Sequence, residues 1–365
     1  MIERNELAAW LRLAETPRFG RASARRVLAA LGSPQAVFEA RLGVLRDVVG
    51  AAAAAALAEP PATLADLVGT TWRWLAEGEQ RGVVTLADAD YPAALLETAD
   101  PPLLLHVQGR IELLAAVSIA AVGSRNPTPQ GIENARAFAR CLSQARVTVV
   151  SGLALGIDGA AHAGALEGPG STIAVVGTGL DIVYPKRHRD LARRIAEQGL
   201  MVSEYSLGTP PLAPHFPQRN RVIAGLTRGT LVVEAATQSG SLITARLAAE
   251  CGRDVFAVPG SIHAPQSRGC HALLKQGAKL VDSAQDILEE LRLGAPGAMP
   301  EAPEAGSRAV DPLLQALGHD PVTLDALAER TGVKPAELNA RLLELELEGQ
   351  VARLPGQQFQ RVARG

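Results

Sequence analysis

Three hydrophobic rhythms divide the chain. Up to about residue 60, apolar residues recur at helical spacing: Leu7, Trp10, Leu11 and Ala14 share one face, and a second run covers Ala24 to Leu31. Gly32-Ser33-Pro34 closes that second helix and caps the next. The alanines from Ala51 to Ala56 favour helix and nothing more specific. Glu59-Pro60-Pro61 then breaks the pattern before another helix around Ala65 to Arg81. Short helices with glycine-bearing turns describe a helix-hairpin-helix or SAM-like module over residues 1–60. Its turn, Gly20, Arg21 and Ser23, is a candidate contact to a DNA backbone, against the plainer reading of a packing module.

The second rhythm begins with two strand-like runs, Val83 to Leu86 and Leu103 to Val107. From residue 117 onward, short continuous apolar runs alternate with helical periods. The strands fall at Val117–Val122, Val147–Val150, Thr172–Val176, Leu200–Glu204, Thr230–Glu234, Asp254–Val258 and Lys279–Val281. Apolar strands separated by helices require a parallel sheet covered on both faces. The spacing predicts an α/β fold over residues 61–293, an extended Rossmann-like doubly wound parallel sheet. Small or glycine-bearing loops follow the strands: Gly123-Ser124-Arg125, Ser151-Gly152-Leu153-Ala154, Gly177-Thr178-Gly179 and Pro259-Gly260-Ser261. Ligands of such sheets bind at the carboxyl ends of the strands, so these loops line one rim.

In the third region, residues 294–311 are rich in Ala, Pro, Glu and Gly and read as a linker. Helical patterns at Pro312–Leu317, Thr323–Thr331 and Pro335–Leu347 follow, then a hairpin at Gly349–Leu354 and Gln358–Val362. Three helices and a two-stranded wing make a winged helix over residues 312–365. Its third helix is acidic, which suits a protein contact or a structural role better than a DNA groove.

Composition narrows the options. The chain is 365 residues long, 47% hydrophobic and carries a net charge of −2, so any basic site is a local patch on a near-neutral body. Cys141, Cys251 and Cys270 match no CxxC spacing, which predicts reduced thiols in a cytoplasmic protein and no zinc site. MIERNELAAWLRL lacks the apolar region of a signal peptide, and no uncharged run approaches the ~20 residues that span a bilayer.

The chemistry concentrates between Phe216 and Ala245. Arg219, Asn220 and Arg221 precede an apolar turn, a strand, the loop Gln238-Ser239-Gly240-Ser241 and a helix start. A glycine- and serine-bearing loop before a helix aims amide groups and the positive helix end at an anion, and arginine forks suit phosphate. With Gly123, Ser124, Arg125, Lys186 and Thr244, these donors make a platform for several phosphates, as a nucleic-acid strand presents. Enzyme signatures are sparse. GSRNPTPQG stands where a dinucleotide fingerprint would be, no GxxxxGK[ST] loop exists, and the histidines show no metal-ligand spacing. Asp158 and His162 stand four apart and read as a hydrogen-bonded pair on one helix face. Glu234, at a strand end, is either catalytic or a cap for Ser239 and Ser241.

The runs GSR, SGLALGIDGAAHAGAL, GTGLDIVYP, SEY, FPQRNRVIAGLT and VVEAATQSGSLITARLAAECGRDVFAVPG resemble the DprA/Smf DNA-processing family, from Asp90 to about Ala278. The resemblance implies a non-catalytic protein of natural transformation and recombination, with no cofactor, that binds and protects incoming single-stranded DNA. It also implies promotion of RecA loading in the presence of the single-strand-binding protein, and a homodimer formed through the Rossmann-like domain. Arg125 and Lys186 would be the main cations, Arg219, Asn220 and Arg221 the rim, and Ser239 and Gly240 donors at the helix start. His188 stands where the family often has Asn, with little effect expected. The rival is a nucleoside monophosphate phosphoribohydrolase on a similar Rossmann core. Its PGGxGTxxE loop is absent, and Glu234 precedes the loop here.

Overall fold

The computed structural model describes residues 2–293, 311–318 and 321–362. Nearly all of the expected linker, residues 294–310, lies outside them. The N-terminal helices are α1 (Arg4–Glu15), α2 (Arg21–Leu31), α3 (Pro34–Glu39), α4 (Leu42–Val49), α5 (Ala51–Ala58) and α6 (Leu64–Ala76). Ser33 caps α3 as its sequence implies, accepting from the Ala36 amide at 3.2 Å ahead of Pro34. In α1 the buried face is Leu7, Trp10 and Leu11, joined by Leu13, while Ala14 is exposed. α6 ends earlier than its periodicity suggested, and Arg81 already opens a strand.

The core follows as β1 (Arg81–Thr85), α7 (Ala93–Leu96), β2 (Leu104–Gly109), β3 (Ser118–Val122), α8 (Pro129–Gln144), β4 (Thr148–Ser151) and α9 (Ile157–Ala165). It continues as β5 (Thr172–Val176), α10 (Arg189–Gln198), β6 (Leu200–Ser203), α11 (His215–Leu226), β7 (Gly229–Val232) and α12 (Ser241–Glu250). β8 (Asp254–Ala257), α13 (Arg268–Lys275), β9 (Lys279–Leu280) and α14 (Ala284–Glu290) complete it. The expected apolar turn at Val222–Leu226 is the second half of α11.

All nine strands form one sheet in the order β1-β2-β6-β5-β4-β3-β7-β8-β9. From β6 to β9 every pairing is parallel, and the β1–β2 hairpin joins β6 antiparallel as an edge extension. The chain runs outward from β3 through β4, β5 and β6, then returns to the other side of β3 as β7. The crevice between β3 and β7 is therefore the topological switch point, where the helices no longer cover the strand ends.

Alternate strand residues feed the two faces. Ile119, Val149, Leu231 and Phe256 pack with α8, α9 and α14 residues such as Leu142, Ile157 and Ile287. Val122, Val150, Val175 and Val232 pack with Val222, Ile223 and Cys270 on the other face. Leu7, Trp10, Leu57 and Trp74 join one core with Leu104, Leu153, Ala174 and Met201, so the N-terminal helices share the sheet's own core. α6 belongs to it through Val68 and Leu75.

The C-terminal region contains α15 (Pro312–Leu317), β10 (Val322–Thr323), α16 (Leu324–Thr331), α17 (Pro335–Leu347), β11 (Val351–Leu354) and β12 (Gln358–Arg361). Leu313, Leu317, Leu327, Leu342, Leu345 and Phe359 make its separate core. The wing gains a third strand: β10 pairs antiparallel with β12, giving the order β10-β12-β11.

Candidate functional site

The switch point opens into a crevice of about 750 Å³. The loop after β3 supplies Gly123, Ser124 and Arg125, and the segment after β7 supplies Gln238, Ser239, Gly240 and Ser241. α11 contributes Phe216, Arg219 and Asn220, and α12 contributes Thr244. Nearly the whole expected donor set thus meets in one place. Lys186 and Arg221 do not line it.

The floor is braced by buried polar groups. Arg219 is only 4% exposed, and its Nη1 donates to the Val175 carbonyl at 2.8 Å. Asp158, also buried, accepts from the Gly152 amide at 3.1 Å and the Ala154 amide at 3.2 Å. Burial pushes the Asp158 carboxyl up and the Arg219 guanidinium down, while their mutual attraction opposes both shifts. His162 Nε2 accepts from the Leu153 amide at 3.2 Å, which leaves the ring proton on Nδ1, 2.7 Å from Thr172 Oγ1. Burial, followed by the electrostatic influence of His188 and Arg219, pushes the His162 pKa down to about 3, so the ring is neutral. Asp158 and His162 therefore do not bond each other along α9. They hold three successive amides, Gly152 to Ala154, and with them Leu153 in the left-handed region at φ 58°. His188 Nδ1 lies 3.0 Å from the Leu153 carbonyl, so it adds to the brace at the position where little effect was expected.

The rim is aromatic and cationic. Tyr184 is 46% exposed, and its ring centre lies 5.5 Å from that of Phe216. The guanidinium carbon of Arg125, an exposed residue, stands 5.7 Å from the Phe216 ring centre. Lys186 is exposed two residues beyond Tyr184, on a short 3-10 turn, Lys186–His188. Sequence reasoning missed both aromatics as site residues, although each lies within a motif, because their proximity is long-range.

The α12 end differs from the expected ring of free amides. The Ser241 amide donates to Ser239 Oγ at 3.4 Å, and the Leu242 and Ile243 amides bond back to the Ser239 and Gly240 carbonyls. The crevice instead receives hydroxyls: Ser239 and Ser241 Oγ lie 2.6 Å apart, and Thr244 Oγ1 is buried with no partner among the described residues. Asn220 Nδ2 ties α11 to this loop through the Gly240 carbonyl at 3.4 Å.

Several residues singled out by sequence serve elsewhere. Arg221 points away from Arg219 because neighbours two apart on a helix lie on different sides. It pairs with Glu204 and donates to the Asp100 carbonyl. Arg21 pairs with Asp100 at 2.6 Å and Glu204 at 3.3 Å, and Arg25 with Asp100 at 2.9 Å, so the Gly20-Arg21-Ser23 turn docks α2 onto the core. Glu234 neither caps Ser239 and Ser241 nor lines the crevice. Its carboxylate accepts from the Thr128 amide and hydroxyl at the start of α8.

Fold and crevice together define an extended Rossmann-type protein with an open, polar and aromatic switch-point site. Comparison with known proteins makes this specific. Residues 82–292 match the model of the DNA recombination-mediator protein A family, and residues 297–357 match the DprA winged helix domain. The chain belongs to the DNA recombination-mediator protein A family. It is 47% identical over 281 residues to Protein Smf of Escherichia coli K12, covering 74% of this chain and 75% of that protein. It is 50% identical over 206 residues to DNA processing protein DprA of Streptococcus pneumoniae, covering 56% of this chain and 73% of that one. Among solved structures, it is similar to the X-ray structure of the S. pneumoniae DprA at TM-score 0.67 and 39% identity, over 79% of this chain and 98% of that one. It is also similar to DprA from Helicobacter pylori, a structure described for its single-stranded DNA binding mode, at TM-score 0.53 and 32% identity over 57% and 95% of the two chains. Among the described residues, no helix is long and apolar enough to cross a membrane.

Proposed function

We propose that this chain binds single-stranded DNA in the switch-point crevice and does no chemistry on it. The observation that carries this reading is the Arg125–Phe216–Tyr184 arrangement on the rim. Single-strand binding combines cations that track phosphates with aromatic faces on which bases stack, and stacking tolerates any sequence. Here a base has Phe216 and Tyr184 as its platform, and phosphates have Arg125, Lys186 and the Ser239, Ser241 and Thr244 hydroxyls. Asp158 and His162 act beneath the strand by holding the Gly152–Ala154 amides, and Arg219 by bonding the Val175 carbonyl beside them. Arg221 ties α11 to Asp100 and Glu204, the acids that Arg21 and Arg25 of α2 also grip.

The similarity to the H. pylori protein supports the same ligand. As a family mediator, the chain would protect incoming strands in the cytoplasm during transformation and recombination. It would promote RecA loading from DNA covered by the single-strand-binding protein, as a homodimer through the Rossmann-like domain. The hydrolase alternative lacks support from Glu234, whose carboxylate is turned onto Thr128. The test is fluorescence anisotropy of labelled oligo-dT with the full chain over a salt series. Salt-sensitive binding supports the reading. Absence of binding, with release of free base from nucleoside monophosphates by the pure protein, would replace it with the hydrolase.

A further inference from the structure

The far edge of the sheet carries a second groove with its own chemistry. β1 pairs with β2 and with no other described strand. The Gly109 amide donates to the Gln80 carbonyl at 2.8 Å, and the Leu86 amide to the Leu103 carbonyl at 2.9 Å, which fixes the alternation along this hairpin. Gly82 and Val84 turn their backbone groups toward β2, and Arg81, Val83 and Thr85 turn theirs outward. Two of those outward amides are already engaged: Arg81 with the Gly78 carbonyl at 3.2 Å, and Thr85 with Asp88 Oδ2 at 2.6 Å. The Thr85 carbonyl is engaged as well, accepting from the Asp88 amide at 3.0 Å. The Val83 amide and the Arg81 and Val83 carbonyls are left for another strand to meet, which is how sheet edges recruit extended segments.

Beside this edge lies a cavity of about 660 Å³, with Leu75 and Val83 in its wall and Ile2 and Ile111 at its sides. Ile111 is 38% exposed. The remaining charged lining is mostly acidic: Glu6, Glu79, Asp88 and Asp90. Arg81, the cation in the lining, is committed to the Trp74 carbonyl at 3.0 Å and to Glu77 at 3.6 Å. Glu79 precedes the strand, and Asp88 and Asp90 follow it, so negative charge stands at both ends of an apolar edge.

We propose that this edge takes an extended segment of a partner protein as an added strand, hydrogen-bonded at Val83, with Lys or Arg side chains near its two ends meeting Glu79 and Asp88–Asp90. Charge decides against the other candidates. The chain's own residues 294–310 carry Glu301 and Glu304 against Arg308, and Pro296, Pro300 and Pro303 offer no amide donors. A second copy joined edge to edge would bring the same acids face to face. The groove is five strand steps from β3, roughly 24 Å at strand spacing, so its occupant and a nucleic-acid strand bind together without touching. The inference is independent of the strand-binding reading.

The test is hydrogen exchange of the full chain with the capped peptide Lys-Val-Thr-Val-Lys, and with Glu-Val-Thr-Val-Glu as control. The basic peptide should slow exchange across Arg81–Thr85 and the acidic one should not. Glu79→Lys with Asp90→Lys should weaken the effect about tenfold. Val83→Pro should abolish it while leaving the β1–β2 ladder in place, since an edge strand accepts proline where its amide faces outward. Equal protection by both peptides, protection elsewhere only, or indifference to the charge reversals would overturn the proposal. So would a native chain that sediments as a larger species than Val83→Pro, because a second copy would then hold the edge. If Val83→Pro fails to fold, the charge-reversed chain decides alone.

Discussion

Glu234 closes onto Thr128, accepting its amide at 2.9 Å and its hydroxyl at 2.6 Å, while Thr128 Oγ1 in turn accepts from the Gly131 amide at 3.0 Å. An acid at a strand end beside a binding crevice invites a catalytic reading, yet this one holds Thr128, the residue that caps α8. Burial raises its pKa above the ordinary 4.5, although the Thr128 bonds pull the other way. The neutral carboxyl is thus the better buried form. Its contribution to stability is full below about 4.5 and is lost as pH rises through the raised folded value. Glu234→Gln should therefore leave oligo-dT binding unchanged, and the native chain should gain melting temperature relative to the variant as pH falls from about 7 to about 4. Calorimetric melts of both proteins across that range check it.

The sheet was legible because parallel strands buried on both faces read as continuous apolar runs, as Ile119–Val122 and Ile173–Val176 do. The switch-point donors were legible because their loops sit at strand ends. Arg219 and Arg221 were not separable, since adjacency in sequence hides the 200° between them on a helix, roughly opposite directions. Pro217 and Gly225 disguised that helix as a loop and a turn. Tyr184 and Phe216 were invisible as a pair because only tertiary structure joins them. β10 is two residues long, too short for any periodicity to register.

Arg125 and Phe216 should fail differently. Arg125→Ala removes a phosphate contact, so affinity for oligo-dT should fall and the slope of log K against log salt should shrink by about 0.7. Phe216→Leu removes a stacking face, which should weaken binding by about 1–3 kcal/mol per stacked base and leave the salt slope in place. Anisotropy titrations at four salt concentrations separate the two. Equal slopes in both variants would remove Arg125 from the phosphate path.

His162 ties stability to pH in the opposite sense from Glu234. Its folded pKa is pushed down to about 3 from 6.5, so between those values the unfolded chain binds the extra proton. Its contribution is present above about 6.5 and is lost as pH falls toward about 3. His162→Gln keeps an acceptor for the Leu153 amide and cannot be protonated. It should unfold less steeply with acid than the native chain, as denaturant melts at pH 7, 6 and 5 would record.

The loop over Arg219 should be the most sensitive to substitution. A Cβ on Gly152 would overlap the Arg219 guanidinium, so Gly152→Ala must expel the arginine or shift the loop. Arg219→Ala removes the cation beside Asp158 and leaves a buried acid with only its two amide donors. Leaving a buried carboxyl without its nearby compensating charge destabilises the fold. Arg221→Ala loosens the contact with Glu204 and Asp100, away from the crevice. Gly152→Ala and Arg219→Ala should both lower the melting temperature and weaken oligo-dT binding, whereas Arg221→Ala should lower stability and leave the affinity of the folded chain within about twofold of native, a difference under about 0.5 kcal/mol. Thermal melts paired with anisotropy on the three variants test this. A binding loss in Arg221→Ala equal to that in Arg219→Ala would place Arg221 on the DNA path after all.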